Sequence, residues 1–104
     1  GMEFMAGIMA KLRSLAIKDF AGYKIVYTAD YLSGVIRYTD GRVDKTSLPA
    51  TDAVYYGLEE GQFVCIRPSG TEPKLKIYVL VFDRSAARSG VKAAAIMEAV
   101  KSLL

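Results

Sequence analysis

The chain has 104 residues, with 14 Lys and Arg against 11 Asp and Glu, and 52% of it is hydrophobic. That is material for one globular domain able to bury roughly two-thirds of its unfolded surface, and it excludes a disordered chain. A net charge of +3 allows an acidic partner but falls short of the concentrated basic face of a dedicated nucleic-acid binder.

Phe4, Met5, Ile8, Met9, Leu12 and Leu15 recur at helical spacing, with Glu3, Lys11 and Arg13 off the stripe, and predict an amphipathic helix of about three turns. Gly22 opens a strand pattern in which Tyr23, Ile25 and Tyr27 alternate with Lys24, Val26 and Thr28 and share one buried face. Asp30 to Gly34 reads as a turn, Val35 to Tyr38 as a short strand, and Asp40-Gly41 as a second turn. Arg42 to Asp52 is polar, carries Pro49 and has no period, so it reads as a loop. Ala53–Leu58 and Gln62–Arg67 form a hairpin around Glu59-Glu60-Gly61. Lys74 to Phe82 is a long strand with Lys74 and Lys76 on the face opposite Leu75 and Ile77. Ser85 is the expected N-cap of a closing helix whose stripe is Ala93, Ile96, Met97, Val100, Leu103 and Leu104. The condensed order is α-β-β-β-β-α: an α+β domain with a largely antiparallel four-stranded sheet and both terminal helices on one face, a single domain over residues 1–104.

Several chemistries are excluded. The chain has no histidine, which removes Ser-His-Asp and Cys-His arrangements and His-based zinc sites. The single Cys65 rules out an internal disulfide and predicts a reducing, cytoplasmic setting, with its thiol inert in a strand. The longest apolar run, Ile77 to Phe82, is far below the roughly 20 residues of a membrane span. Lys11 and Arg13 interrupt the N-terminal apolar segment, so no signal peptide is expected, and Gly1 ahead of Met2 is read as a non-native leftover. The tyrosines between residues 23 and 56 could stack bases, but as strand residues they are expected to pack the sheet, and no nucleic-acid partner is predicted. Asp30 and Asp52 read as isolated turn and loop residues. A mean hydropathy of +0.21 is high for a small free-standing domain. It points either to one tight core or to a face normally covered by neighbouring domains.

The informative stretch is Arg67-Pro68-Ser69-Gly70-Thr71-Glu72-Pro73-Lys74-Leu75-Lys76. Gly70 permits a close backbone approach or a positive φ, Ser69 and Thr71 offer hydroxyl donors, and consecutive amides in such a turn can cradle an anion. Arg67 supplies a planar fork and Lys74 or Lys76 a point charge, so three cations against Glu72 leave a local +2, matching a phosphomonoester dianion. The plainer reading is a Pro- and Gly-rich hairpin loop with solvated charges. Glu72 must then point outward or pair with a neighbouring lysine.

The run from Arg67 to Tyr78 resembles the phosphate-binding loop in the C-terminal domain of the α-D-phosphohexomutases, the phosphoglucomutase/phosphomannomutase superfamily, whose loop commonly reads R-P-S-G-T-E-P-K before an alternating strand. The opening helix, the Gly-Tyr-Lys strand leading to Asp30 and the closing helix extend the likeness over nearly the whole chain. The resemblance implies a fold like that of the TATA-box-binding protein. It also implies that Arg67, Ser69, Gly70 and Thr71, with Lys76, contact the non-reacting phosphate of a hexose phosphate such as glucose or mannose 1- or 6-phosphate. The family's phosphoserine, metal and sugar-reading loops are absent, so this chain is expected to be a piece of a longer enzyme that cannot turn over alone. It would bind no cofactor itself, although Mg²⁺ is expected for the parent. The alternative is a stand-alone phosphosugar- or anion-binding module without catalytic activity.

Overall fold

A computed structural model describes residues 1–104. Helix α1 (Met2–Ser14) is followed by strands β1 (Asp19–Phe20), β2 (Tyr23–Asp30), β3 (Val35–Tyr38), β4 (Val43–Lys45), β5 (Val54–Leu58), β6 (Phe63–Pro68) and β7 (Leu75–Leu80), and the chain closes with helix α2 (Ala86–Lys101). The sheet is antiparallel throughout, ordered β4-β3-β2-β5-β6-β7, with β1 added to β2. The α+β class and the placement of both helices on one face are as the sequence predicts. The strand count is not. All five strand segments of the sequence pattern are present, one more than the condensed four-stranded order, and two short strands join them.

Both additional strands lack the usual signal for physical reasons. β4 lies inside the stretch read as a loop, pairs only with β3, and exposes all three of its residues, so no apolar alternation marks it. β1 is two residues long and turns at once into β2, where the Gly22 N–H donates to Asp19 Oδ1 at 3.0 Å. β2 departs from simple alternation as well. Ile25 pairs with Leu58 but Tyr27 pairs with Gly57, so Val26 is an extra residue, a bulge. Ile25 therefore faces the helices while Tyr27 turns to the open side, correcting the expectation of one shared face. The Tyr27 ring lies over Gly57, where a Cβ would come within 1.8 Å of it.

The core sits between the helices and the sheet. Met9 and Leu12 of α1 and Ile96 and Val100 of α2 pack with Phe20, Val54, Tyr56, Val64 and Ile66, all nearly inaccessible to water. Phe4, which the helical spacing assigns to the stripe, is 66% exposed, and the buried stripe reduces to Met5, Met9 and Leu12. Ser85 caps α2 as predicted, its Oγ accepting from the Arg88 N–H at 3.2 Å.

Between β5 and β6, Glu60 and Gly61 both take left-handed backbone angles, φ 63° and 75°, as a tight hairpin turn requires. At this end the β6–β7 hairpin is locked to α2. Lys92 Nζ donates to Gln62 Oε1 at 2.9 Å and to the Phe82 carbonyl at 2.7 Å, while the Phe82 N–H donates to Gln62 Oε1 at 3.2 Å. These bonds divert the Phe82 backbone to side chains, so β7 ends at Leu80 rather than running on to Phe82.

Accessible surface totals 6615 Å², above the about 5,800 Å² usual for this mass. Part of the excess is apolar surface on the sheet face away from the helices, where Tyr78 and Leu80 are 49% and 40% exposed. The high hydropathy thus has a location.

Candidate functional site

Strand alternation decides what reaches the open face at the β6–β7 end. Val64↔Val79 and Ile66↔Ile77 face the helices, so Cys65↔Tyr78 and Arg67↔Lys76 face the other way. Arg67 and Lys76 are thus directly opposite each other, both exposed, and neither has a carboxylate within ion-pair distance. Like charges in such a pair destabilise a sheet. Nothing in the fold offsets this one.

The connecting loop is built around Ser69. Strand pairing reaches Pro68↔Leu75, and the Ser69 N–H donates to the Lys74 carbonyl at 2.8 Å, closing the hairpin. The Ser69 side chain is buried (3% exposed), and its Oγ accepts from the Thr71 and Glu72 N–H groups at 3.4 and 3.3 Å, with Thr71 Oγ1 at 3.5 Å. Ser69 therefore shapes the turn from inside, whereas Gly70 and Thr71 are exposed at its crest. Gly70 does not use a positive φ, and a Cβ there would meet nothing within 4 Å. The fold itself therefore gives no steric reason for glycine, and its N–H has no partner within the chain. Glu72 pairs with Lys74 at 3.2 Å, the neighbouring-lysine option of the sequence reading. That removes Lys74 from the set of free cations and leaves the local +2 on Arg67 and Lys76.

Beside Arg67 the open face holds a cleft of about 390 Å³ lined mainly by Tyr31, Leu48, Tyr55, Phe63, Cys65 and Tyr78. The Tyr55 ring lies 5.2 Å from Tyr31 and 5.1 Å from Phe63. The sequence reading assigned the tyrosines to sheet packing and missed this cleft. The same alternation that turns Leu75 and Ile77 inward would have placed Tyr78 on the face of Arg67. Cys65 is 3% exposed on its floor, and burial pushes its thiol above the ordinary value despite the opposing effects of Tyr55 and Arg67.

One further cluster has little to offer chemically. Asp30 and Asp52, expected to be isolated, are joined by Arg13, whose Nε and Nη2 lie 3.2 and 2.5 Å from their carboxylates. Burial raises the Asp30 carboxyl, but the Leu32 N–H, the Ser33 hydroxyl and Arg13 together hold it below its usual value. It is a structural tie between α1 and the strand ends, with no free acid beside it. No three His, Cys, Asp or Glu side chains are grouped to hold a metal, so these residues do not fit a Mg²⁺ ion. No helix is long and apolar enough to cross a membrane.

Residues 35–97, from β3 into α2, match the family described as phosphoglucomutase/phosphomannomutase, C-terminal domain. Among curated proteins, the chain is 34% identical over 79 residues to a phosphoglucomutase of Staphylococcus saprophyticus, a match covering 75% of this chain. It is 34% identical over 80 residues to one of Staphylococcus aureus and 35% identical over 82 residues to one of Staphylococcus epidermidis, each match covering 76% of this chain. The matched region spans 14% of the length of each of these relatives. No solved structure gives a significant match. Family match and relatives converge on the strands that carry the Arg67–Lys76 loop, and the chain belongs to the phosphoglucomutase/phosphomannomutase family, as its C-terminal domain.

Proposed function

We propose that this domain holds the phosphate of a hexose phosphate through Arg67, Lys76 and the Ser69–Gly70–Thr71 turn, as the non-reacting end of a substrate handled by a longer, cytoplasmic mutase chain. The observation that carries this reading is the facing, unpaired Arg67 and Lys76 at the foot of a loop whose Gly70 has open space above it. An arriving dianion relieves the repulsion between them, so charge neutralisation favours binding twice. Arg67 supplies the planar fork, Lys76 the second charge, and the Gly70 amide a donor at close approach. Ser69 acts from inside the turn, holding the crest in place through its bonds to the Thr71 and Glu72 amides.

In a complete mutase such a grip orients the sugar and contributes remote binding energy to a reaction elsewhere, whose catalytic groups this chain does not supply. Other domains of a longer chain are the expected partners. Affinity of the domain alone should be roughly millimolar, because one loop makes all the contacts.

The test is an amide NMR titration with inorganic phosphate, glucose 6-phosphate and glucose, on the wild type and Arg67→Ala. Shifts centred on residues 67–76 with both phosphates but not with glucose, lost in Arg67→Ala, are expected. Absence of shifts at saturating phosphate refutes the reading.

A further inference from the structure

We propose that the aromatic cleft beside Arg67 is the seat for the ring of the phosphorylated ligand, so that the domain grips a pyranose as well as its phosphate. The inference rests on the phosphate reading above and adds where on this domain the attached ring is held.

Register sets the geometry. Cys65↔Tyr78 is the next pair on the same face after Arg67↔Lys76, about 7 Å along the strands. That step is comparable with the reach from the phosphorus across to the far side of the ring of a hexose phosphate. A phosphate on Arg67 and Lys76 therefore puts the attached ring over Cys65, between Tyr78 and Tyr55. The cleft volume of about 390 Å³ accommodates one such ring, and Arg67 forms part of its wall, so charged and apolar subsites are continuous. Their chemistry is complementary to a sugar phosphate: cations at one end, then aromatic faces that pack against C–H groups. The apolar C–H face of a pyranose is what such a surface takes up, while the hydroxyl rim stays in water. A smaller phosphate ester, lacking a ring, would leave the aromatic end unused.

The test compares inorganic phosphate, glycerol 3-phosphate and glucose 6-phosphate on the full chain by NMR titration, with Tyr78→Ala and Tyr78→Phe. Tyr78 is 49% exposed on an edge strand, so both variants should fold. Covering about 55 Å² of C–H surface corresponds to about tenfold in Kd. Glucose 6-phosphate should thus bind the wild type about tenfold more tightly than the two ring-free phosphates. Tyr78→Ala should erase that advantage without weakening inorganic phosphate, and Tyr78→Phe should keep it. Equal affinities for all three phosphates in the wild type overturn the ring seat and leave the phosphate grip intact. An advantage that survives Tyr78→Ala overturns it as well. Failure of every phosphate to bind brings down both readings together.

Discussion

Tyr56→Phe should stabilise this domain. Tyr56 is 3% exposed, its ring meets Phe20 edge-on at 5.2 Å, and its hydroxyl is buried without a hydrogen-bond partner. A hydroxyl stripped of water and left unpaired costs about 1–3 kcal/mol, while phenylalanine keeps the ring contacts. The expected gain is about 1 kcal/mol, or roughly 5 °C in Tm for a chain of this size. Burial also pushes the Tyr56 phenol from 10.0 up to about 12, with Arg13 pulling it down and Asp30 adding to the rise. Because the folded state holds this proton more tightly than the unfolded state, the associated stability is whole below pH 10 and drains away between 10 and about 12. At most this amounts to about 3 kcal/mol. Tyr56→Phe should remove that part of the alkaline loss, leaving a smaller slope from Tyr27, Tyr55 and the Cys65 thiol, all of which are also raised by burial. Urea unfolding followed by far-UV circular dichroism, at neutral pH and near pH 11, measures both quantities. A variant destabilised by about 1 kcal/mol or more at neutral pH, or one with the wild-type alkaline slope, would refute the argument.

Two other substitutions probe the sheet and the helix tie. Gly57→Ala forces the Tyr27 ring off its seat, since the new Cβ would lie 1.8 Å from it, and should cost about 1–3 kcal/mol; combining it with Tyr27→Ala should cost little more than Tyr27→Ala alone, as a double-mutant cycle in urea would show. Arg13→Ala should cost about 1 kcal/mol at neutral pH. Because Asp30 is held below its ordinary value, its contribution is present above about pH 4 and lost in acid, so the variant's stability should fall less steeply there.

Legibility followed the apolar alternation. The β5–β6–β7 strands and α2 could be read because each turns one apolar face towards the core, which writes a period into the sequence. β4 could not be read because an exposed edge strand has nothing to alternate. The bulge at Val26 escaped because one extra residue reverses every later side chain while leaving composition untouched. The Arg67–Lys76 loop was legible as a unit, since its residues are unusual together. Its interior was not: Ser69 turned inward and Gly70 kept an ordinary backbone angle, outcomes set by hydrogen bonds among loop atoms.

The lock formed by Lys92, Gln62 and Phe82 makes the β6–β7 hairpin a beam fixed at one end. Its root is pinned by three hydrogen bonds, whereas the crest at Gly70 and Thr71 is about 20 Å away and held only by bonds within the loop. Bending is therefore concentrated at the free tip, and amide exchange should be slow at the root and fast at the crest. A ligand seated there has only a few residues to order, and its arrival stiffens the tip without disturbing the helices. On the phosphate reading proposed above, the domain takes hold of its ligand as a nearly rigid body, and any larger movement within a longer chain comes from joints outside its own core.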